Sequence, residues 1–199
     1  MPVDEFDIIR RHFVRSKSAR PDVVTGIGDD AALLQVPHRH ELVVCIDTLV
    51  AGRHFPEDTR PAAIGHKALA VNLSDLAAMG ADPAWATLAL TMPEYDAAWM
   101  EDFMQGFFQL ADHCSVELVG GDTTRGPLIV TVQTHGFVPQ GQAVLRRGAQ
   151  PGDLVYVTGT LGDAGLALHL KDAASDTLCR RLDFPAPRIA AGKELRGQA

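Results

Sequence analysis

The chain has 199 residues, 18 Lys+Arg against 25 Asp+Glu, a formal net charge of −7 and 46% hydrophobic residues. That composition excludes disordered and collagen-like chains and leaves room for one large domain or two small ones, each with a real core. A pI near 5.5 and no Lys/Arg run longer than a pair such as Arg146–Arg147 argue against a broad nucleic-acid surface, so an anionic ligand must be held by other means.

In chain order, Phe6, Ile8, Ile9 and Phe13 set among charges predict a short amphipathic helix over 4–15, followed by a polar linker. Apolar runs rich in Val, Ile, Leu and Thr predict strands at 31–36, 41–46, 84–91, 116–119 and 128–138. Pro61 opens a predicted helix that Gly80 closes, and Pro93 opens another in which Trp99, Phe103, Phe107 and Leu110 recur at helical spacing as core. Strands alternating with two such helices predict an α/β (α+β) layer, the helices covering one face of the sheet. Residues 139–152, rich in Gly, Pro and Gln, are expected to link a first domain, 1–138, to the start of a second, 153–199. That second unit reads as a strand (DLVYV), a Gly-rich turn, a helix and, after PAPR, another helix. It is too small for its own core and is expected to be truncated.

Cys45, Cys114 and Cys179 are odd in number and lack C-x-x-C spacing, which supports neither a disulfide framework nor a zinc site. The N-terminus has no apolar signal-peptide core and no stretch reaches the ~18 apolar residues of a membrane span. A cytoplasmic protein with reduced thiols and no membrane contact is the expectation.

Four acidic clusters sit at predicted strand ends or in an apolar helix: Gly28-Asp29-Asp30, Asp47-Thr48, Asn72-x-Ser74-Asp75 and Gly120-Gly121-Asp122. Asp47 is expected to end its strand, and Asp122 to follow another through two glycines that turn the backbone tightly. Asp75, in a helix apolar nearly all round, is expected to be partly buried beside Asn72, compensated by a cation, backbone donors or a side chain such as Lys67. Read alone, Asp75 fits a structural hydrogen-bonder and Asp29 an Asx-turn. Converging carboxylates, however, repel one another unless hard divalent cations sit between them, and oxygen-only ligation favours magnesium or calcium, magnesium also bridging to phosphates. Neither a P-loop nor a Rossmann glycine pattern occurs. The Gly159–Gly162 loop could cradle an anion or be a plain tight turn, Arg146 and Arg147 could meet phosphate or solvent, and His54 is by residue type a surface or packing histidine.

The strings GIGDDAALL, DTLVAGRHF, KALAVNLSDLAAMGADPAW, GGDTTRGP and VTGTLGDAG, in this order, closely resemble the thiamine-monophosphate kinase family of the aminoimidazole-ribonucleotide-synthetase-like superfamily, over residues 5–199. The resemblance implies a mixed-sheet first domain that pairs as a homodimer and a second α/β domain. It also implies transfer of the ATP γ-phosphoryl group directly in line onto thiamine monophosphate, with several Mg2+ ions. By the same resemblance Asp30, Asp47, Asp75 and Asp122 match metal ligands, Gly121, Asp122 and Arg146 match ATP contacts, and His54 matches a contact to the thiamine phosphate. No covalent or general-base residue is implied. Cys45-Ile46 stands where the family has Ser-Thr, and a later Asp-x-Ser-Asp-Gly motif does not occur. Two other readings stay open: a dimeric Mg-nucleotide-binding fragment without turnover, or another ATP-using superfamily enzyme such as selenophosphate synthetase, against which stands the lack of any cysteine before Cys45.

Overall fold

The computed structural model describes residues 4–15 and 20–197. A four-stranded mixed sheet is its centre, in the order β3 (His40–Val50), β6 (Ile129–Pro139), β4 (Asp82–Met92), β5 (Glu117–Arg125). β3 and β6 pair antiparallel over their whole length, β4 pairs antiparallel with β6, and β4 and β5 run parallel, joined by a helix as parallel strands must be. The expectation of a mixed sheet with helices on one face is met.

Strand alternation sorts the side chains. Val130, Val132 and Thr134 of β6 and Ala86, Leu88 and Leu90 of β4 turn to the buried face, where helices α2 (Pro61–Ala78) and α3 (Ala97–His113) cover them. α2 begins at Pro61, whose missing N–H would be unsatisfied there anyway. It ends in a Schellman arrangement: Gly80, at φ 69°, donates to the Ala77 carbonyl at 3.0 Å and Ala81 donates to that of Leu76 at 2.8 Å. α3 starts at Ala97, later than Pro93 had suggested. Asp96 outcompetes the proline as the start signal because its carboxylate accepts the Ala98 and Trp99 amides at 2.9 and 3.2 Å. The predicted aromatic stripe is core: Phe103 and Phe107 are fully buried and Trp99 stacks on Phe103. The two helices meet through glycines. A Cβ on Gly65 would lie 2.1 Å from the Phe103 carbonyl oxygen, and one on Gly106 only 1.9 Å from that of Ala62.

The opposite sheet face is half covered. Trp85, Val119 and Phe137 are buried there against Val23 and Leu34 of a two-stranded ribbon, β1 (Val23–Thr25) and β2 (Leu33–Leu34), and the Trp85 indole donates to Asp22 at 3.0 Å. β2 is all that remains of the strand expected over 31–36, and β1 lies in the stretch expected to be a linker, because three residues among polar neighbours carry almost no pattern. Towards β3 the face is open, and Leu42, Val44 and Ile46 are exposed.

The N-terminal helix is one α-helical turn, α1 (Glu5–Ile8), running into a π-helical turn at Ile9–Phe13. After β6 no regular element occurs until α4 (Asp163–Leu170). The strand expected at DLVYV is absent: Leu154, Val155 and Tyr156 are 77%, 94% and 83% exposed, since apolar alternation makes a strand only where a neighbour offers backbone partners. α5 (Asp176–Asp183), which sequence reading missed, is polar and has no buried residue; α6 (Ile189–Glu194) matches the helix expected after PAPR. α6 returns to the first domain, where a Cβ on Gly192 would stand 1.9 Å from the Ala77 oxygen and Arg196 and Lys193 both engage Asp82. Among the described residues no helix is long and apolar enough to cross a membrane.

Candidate functional site

Asp47 lies within β3, not at its end; the strand runs on to Val50 because Leu49 and Val50 continue the alternation opposite Val130 and Ile129. Cys45, two residues earlier, contacts α2, so Asp47 shares the helix-covered face. Its carboxyl is pushed above the ordinary value, first by burial and then by the negative charge of Asp75, with His54 acting in the opposite direction. No lysine or arginine enters that balance. Asp75, in the last turns of α2, is exposed, contrary to the burial expected of it. The side of α2 that carries it is Val71, Ser74, Asp75 and Ala78. Val71 is half-buried and the other three are exposed, so the apolar residues on this side do not make it a core face.

Asn72 does not share this side. It is fully buried, its Nδ2 donating to the Ala68 oxygen at 3.0 Å, while Ser74 Oγ donates to the Ala70 oxygen at 2.8 Å. Lys67 compensates neither: two turns earlier on the helix, its ammonium is buried 3.7 Å from Asp183, and burial lowers its pKa although Asp183 opposes the shift.

His54 closes the turn after β3. The Val50 amide donates to its Nδ1 at 3.0 Å, which leaves Nε2 as the ring's free donor beside Asp47. Asp122 is exposed and lies within β5, which continues through both glycines instead of turning at them. The reason for Gly121 is β4: it has φ 155°, and a Cβ would sit 1.9 Å from the Leu88 oxygen. Register places Asp47, Val132, Leu88 and Gly121 on one row across the sheet. At its β5 end, Gly121 and Asp122 border a cavity of about 50 Å³ walled mostly by Ile9, Phe13, Ile27 and Leu118.

Asp75 and His54 thus lie close enough to Asp47 for their charges to act on it. Asp30 is exposed in the turn after Gly28, its amide donating to the Asp29 carboxylate at 2.8 Å, a local bond one residue on and not the Asx-turn expected of Asp29. Arg146 is exposed on the irregular segment after β6. Among the described residues no three His, Cys, Asp or Glu side chains converge as ligands of one ion, and no hydrogen bond or ion pair joins Asp30, Asp122 or Arg146 to the Asp47–Asp75 pair. The pair itself suits a hard divalent cation: both side chains offer only oxygen, the charge of Asp75 raises the Asp47 pKa, and no lysine or arginine counters it at Asp47. The Gly159–Gly162 loop is closed by the Thr160 hydroxyl donating to Asp163 at the start of α4.

Two features escaped the sequence reading. Ile46 projects to the open face, 59% exposed, so its side chain cannot enter the site whatever residue stands there. Cys45 instead bonds to both α2 and β6. Period-two alternation from Asp47 would have separated the two positions.

Residues 28–138 match the family model described as AIR synthase related protein, N-terminal domain. The chain is 55% identical over 207 residues to the thiamine-monophosphate kinase of Escherichia coli K12, all of this chain aligning with 64% of that protein, so it spans less than two thirds of that relative's length. A crystal structure of thiamine-monophosphate kinase from Stenotrophomonas maltophilia K279a superposes with a TM-score of 0.84 at 53% identity, covering 89% of this chain and 60% of that one. A structure described as AaThiL complexed with AMPPCP and TMP does so with a TM-score of 0.73 at 34% identity, covering 86% and 57%. The resemblance carried by GIGDDAALL and NLSDLAAMGADPAW is therefore a family relationship: this chain belongs to the AIR synthase related proteins, with residues 28–138 as the N-terminal domain.

Proposed function

We propose that this chain carries the metal- and nucleotide-binding part of an ATP-dependent kinase that phosphorylates thiamine monophosphate to thiamine diphosphate, leaving ADP. The observation that carries the reading is the Asp47–Asp75 pair, two carboxylates close enough for the charge of one to raise the pKa of the other with no lysine or arginine acting on Asp47, in a chain whose relatives are thiamine-monophosphate kinases. The AMPPCP and TMP held by one structural neighbour supply the two substrates of this reading.

In it Asp47 and Asp75 hold magnesium, and Asp30 and Asp122 add oxygen ligands when the phosphates are bound. A divalent cation there would supply positive charge that lets two mutually repelling phosphates approach. Gly121, Asp122 and Arg146 contact the nucleotide, and His54 offers Nε2–H to the acceptor phosphate. The acceptor is already deprotonated at neutral pH, so no side chain has to remove a proton and no covalent enzyme intermediate is needed. The work of the chain is to position both phosphates for in-line attack. The exposed Leu42, Val44 and Ile46 support pairing of two copies through this sheet face, and three free thiols fit a reducing cytoplasm.

A second reading, a nucleotide-binding dimer without turnover, is favoured for the chain by itself by the exposed Leu154–Val157 segment, which has a strand's pattern and no sheet partner among the described residues. Calorimetric titration with AMPPCP, with and without Mg2+, and then with thiamine monophosphate tests both. Magnesium-dependent binding is the expected result; no nucleotide binding in either condition would overturn both readings. Turnover of ATP and thiamine monophosphate by this chain would remove the second.

A further inference from the structure

Behind the carboxylate pair runs a buried polar link that the chemistry above does not use. Cys45 precedes Asp47 by two residues on the same face of β3, and Asn72 precedes Asp75 by three on α2. Cys45 Sγ lies 3.2 Å from the Asn72 main-chain oxygen, 3.8 Å from Asn72 Oδ1 and 3.0 Å from Thr134 Oγ1 on β6. Asn72 and Thr134 expose no surface. The protons are sufficient: the Thr134 hydroxyl donates to sulfur and the thiol donates its own hydrogen to the Asn72 oxygen. Asn72 is tied in turn to its own helix through Ala68. Among the described residues these are the only side-chain hydrogen bonds that join β3 to α2.

The carboxylates need such a link. The charge of Asp75 disfavours ionised Asp47, and no hydrogen bond or ion pair joins the two side chains. One residue projects from a strand and the other from a helix packed on it, so their spacing is the spacing of β3 and α2 at this point. Small displacements of that kind change metal affinity strongly, since groups behind the ligands commonly alter it about 10- to 100-fold.

We propose that Cys45 is a positioning residue: its thiol, bonded to Asn72 and Thr134, sets the β3–α2 spacing at which Asp47 and Asp75 share one divalent cation. The inference rests on the metal reading of that pair.

The test is binding of Mn2+, followed by electron paramagnetic resonance and displaced with Mg2+, to the 199-residue chain and three variants. Cys45→Ala removes the bonds to Asn72 and Thr134 and should weaken Mn2+ binding about tenfold or more. Cys45→Ser keeps a donor and an acceptor and should restore most of the affinity. Leu110→Ala, on α3 and remote from the pair, should lower the melting temperature without changing affinity, which separates spacing from general destabilisation. Unchanged binding by Cys45→Ala, with wild type binding normally, would overturn the proposal and leave the metal site standing. Equal weakening by Leu110→Ala, or no rescue by serine, would also overturn it. No binding by the wild type would overturn the metal reading and the proposal together.

Discussion

Asp75 is exposed, so its charge can be removed without opening the core, and its removal also relieves Asp47 of a repelling neighbour. Asp75→Asn should therefore weaken Mg2+ binding at least about tenfold, with a melting temperature equal to or slightly above wild type. A magnesium titration beside a thermal melt reads both; unchanged magnesium affinity would remove Asp75 from the site. At this scale the sequence picked out the carboxylates but misjudged their surroundings: Asp75 is exposed and Asp47 lies inside its strand. The acids in GIGDD, Asp47-Thr48 and NLSD stand out because few cations accompany them. Whether a carboxylate is buried depends on which side of its helix meets the sheet, and a helix apolar nearly all round is silent on that. Asn72 and Asp75, neighbours on the helix, fall on either side of the boundary between buried and exposed for the same reason.

Secondary elements were legible where a signal is local. Pro61 and Gly80 bracket α2 because φ restriction and left-handed capping act over a few residues, and the stripe from Trp99 to Leu110 marks α3. Elements that depend on remote partners were not: DLVYV has the pattern of a strand without a neighbour, and β3 outran its predicted end because its register is fixed by β6. The close crossing of α2 and α3 was equally hidden. Gly106→Ala should gain about 1 kcal/mol of helix propensity. It places a methyl group 1.9 Å from the Ala62 oxygen, a main-chain atom that can move only with its helix. Overpacking of that kind costs about 1–3 kcal/mol or more. We expect a net loss of about 1 kcal/mol, lowering the melting temperature by about 2–4 °C. A midpoint equal to wild type would show that the helices can separate freely.

The docking of α6 has a pH signature. Burial alone would raise the Asp82 carboxyl, but hydrogen bonds from Lys193 and Arg196 outweigh it and hold the pKa below the ordinary 3.8. A carboxyl depressed in the folded state stabilises above its unfolded value, and that stabilisation is lost as pH falls through the lower folded value. Asp82 is 38% exposed, so solvent screening limits the effect to about 1 kcal/mol. Asp82→Asn should lower the melting temperature by about 2–4 °C at neutral pH, and the difference should shrink once the pH is below 3.8. A difference that persists undiminished in acid would assign the loss to packing instead of charge.

For the whole molecule the decisive surface is the open half of the sheet. Leu42, Val44 and Ile46 project from one face of β3 at 44%, 49% and 59% exposure, a contiguous apolar strip of the kind that marks association. We expect the chain to sediment as a dimer at micromolar concentration and Val44→Asp to sediment as a monomer with its fold retained, because the substitution alters only this face. A wild-type monomer at that concentration would mean that the strip serves another partner. Neither face of β3 announced this in the sequence, where alternation between two apolar sets reads as a buried strand.

The pairing of β3 with β6 also has a consequence in time. Their partners lie roughly eighty to a hundred residues apart, so β3 must wait for the chain that will cover it. At ribosomal rates of about 5–20 residues per second, that wait lasts about 5–20 s. Throughout it a long apolar strand stands with its main-chain donors and acceptors unpaired, the state in which a nascent chain most needs a chaperone and is most easily captured by another copy of itself.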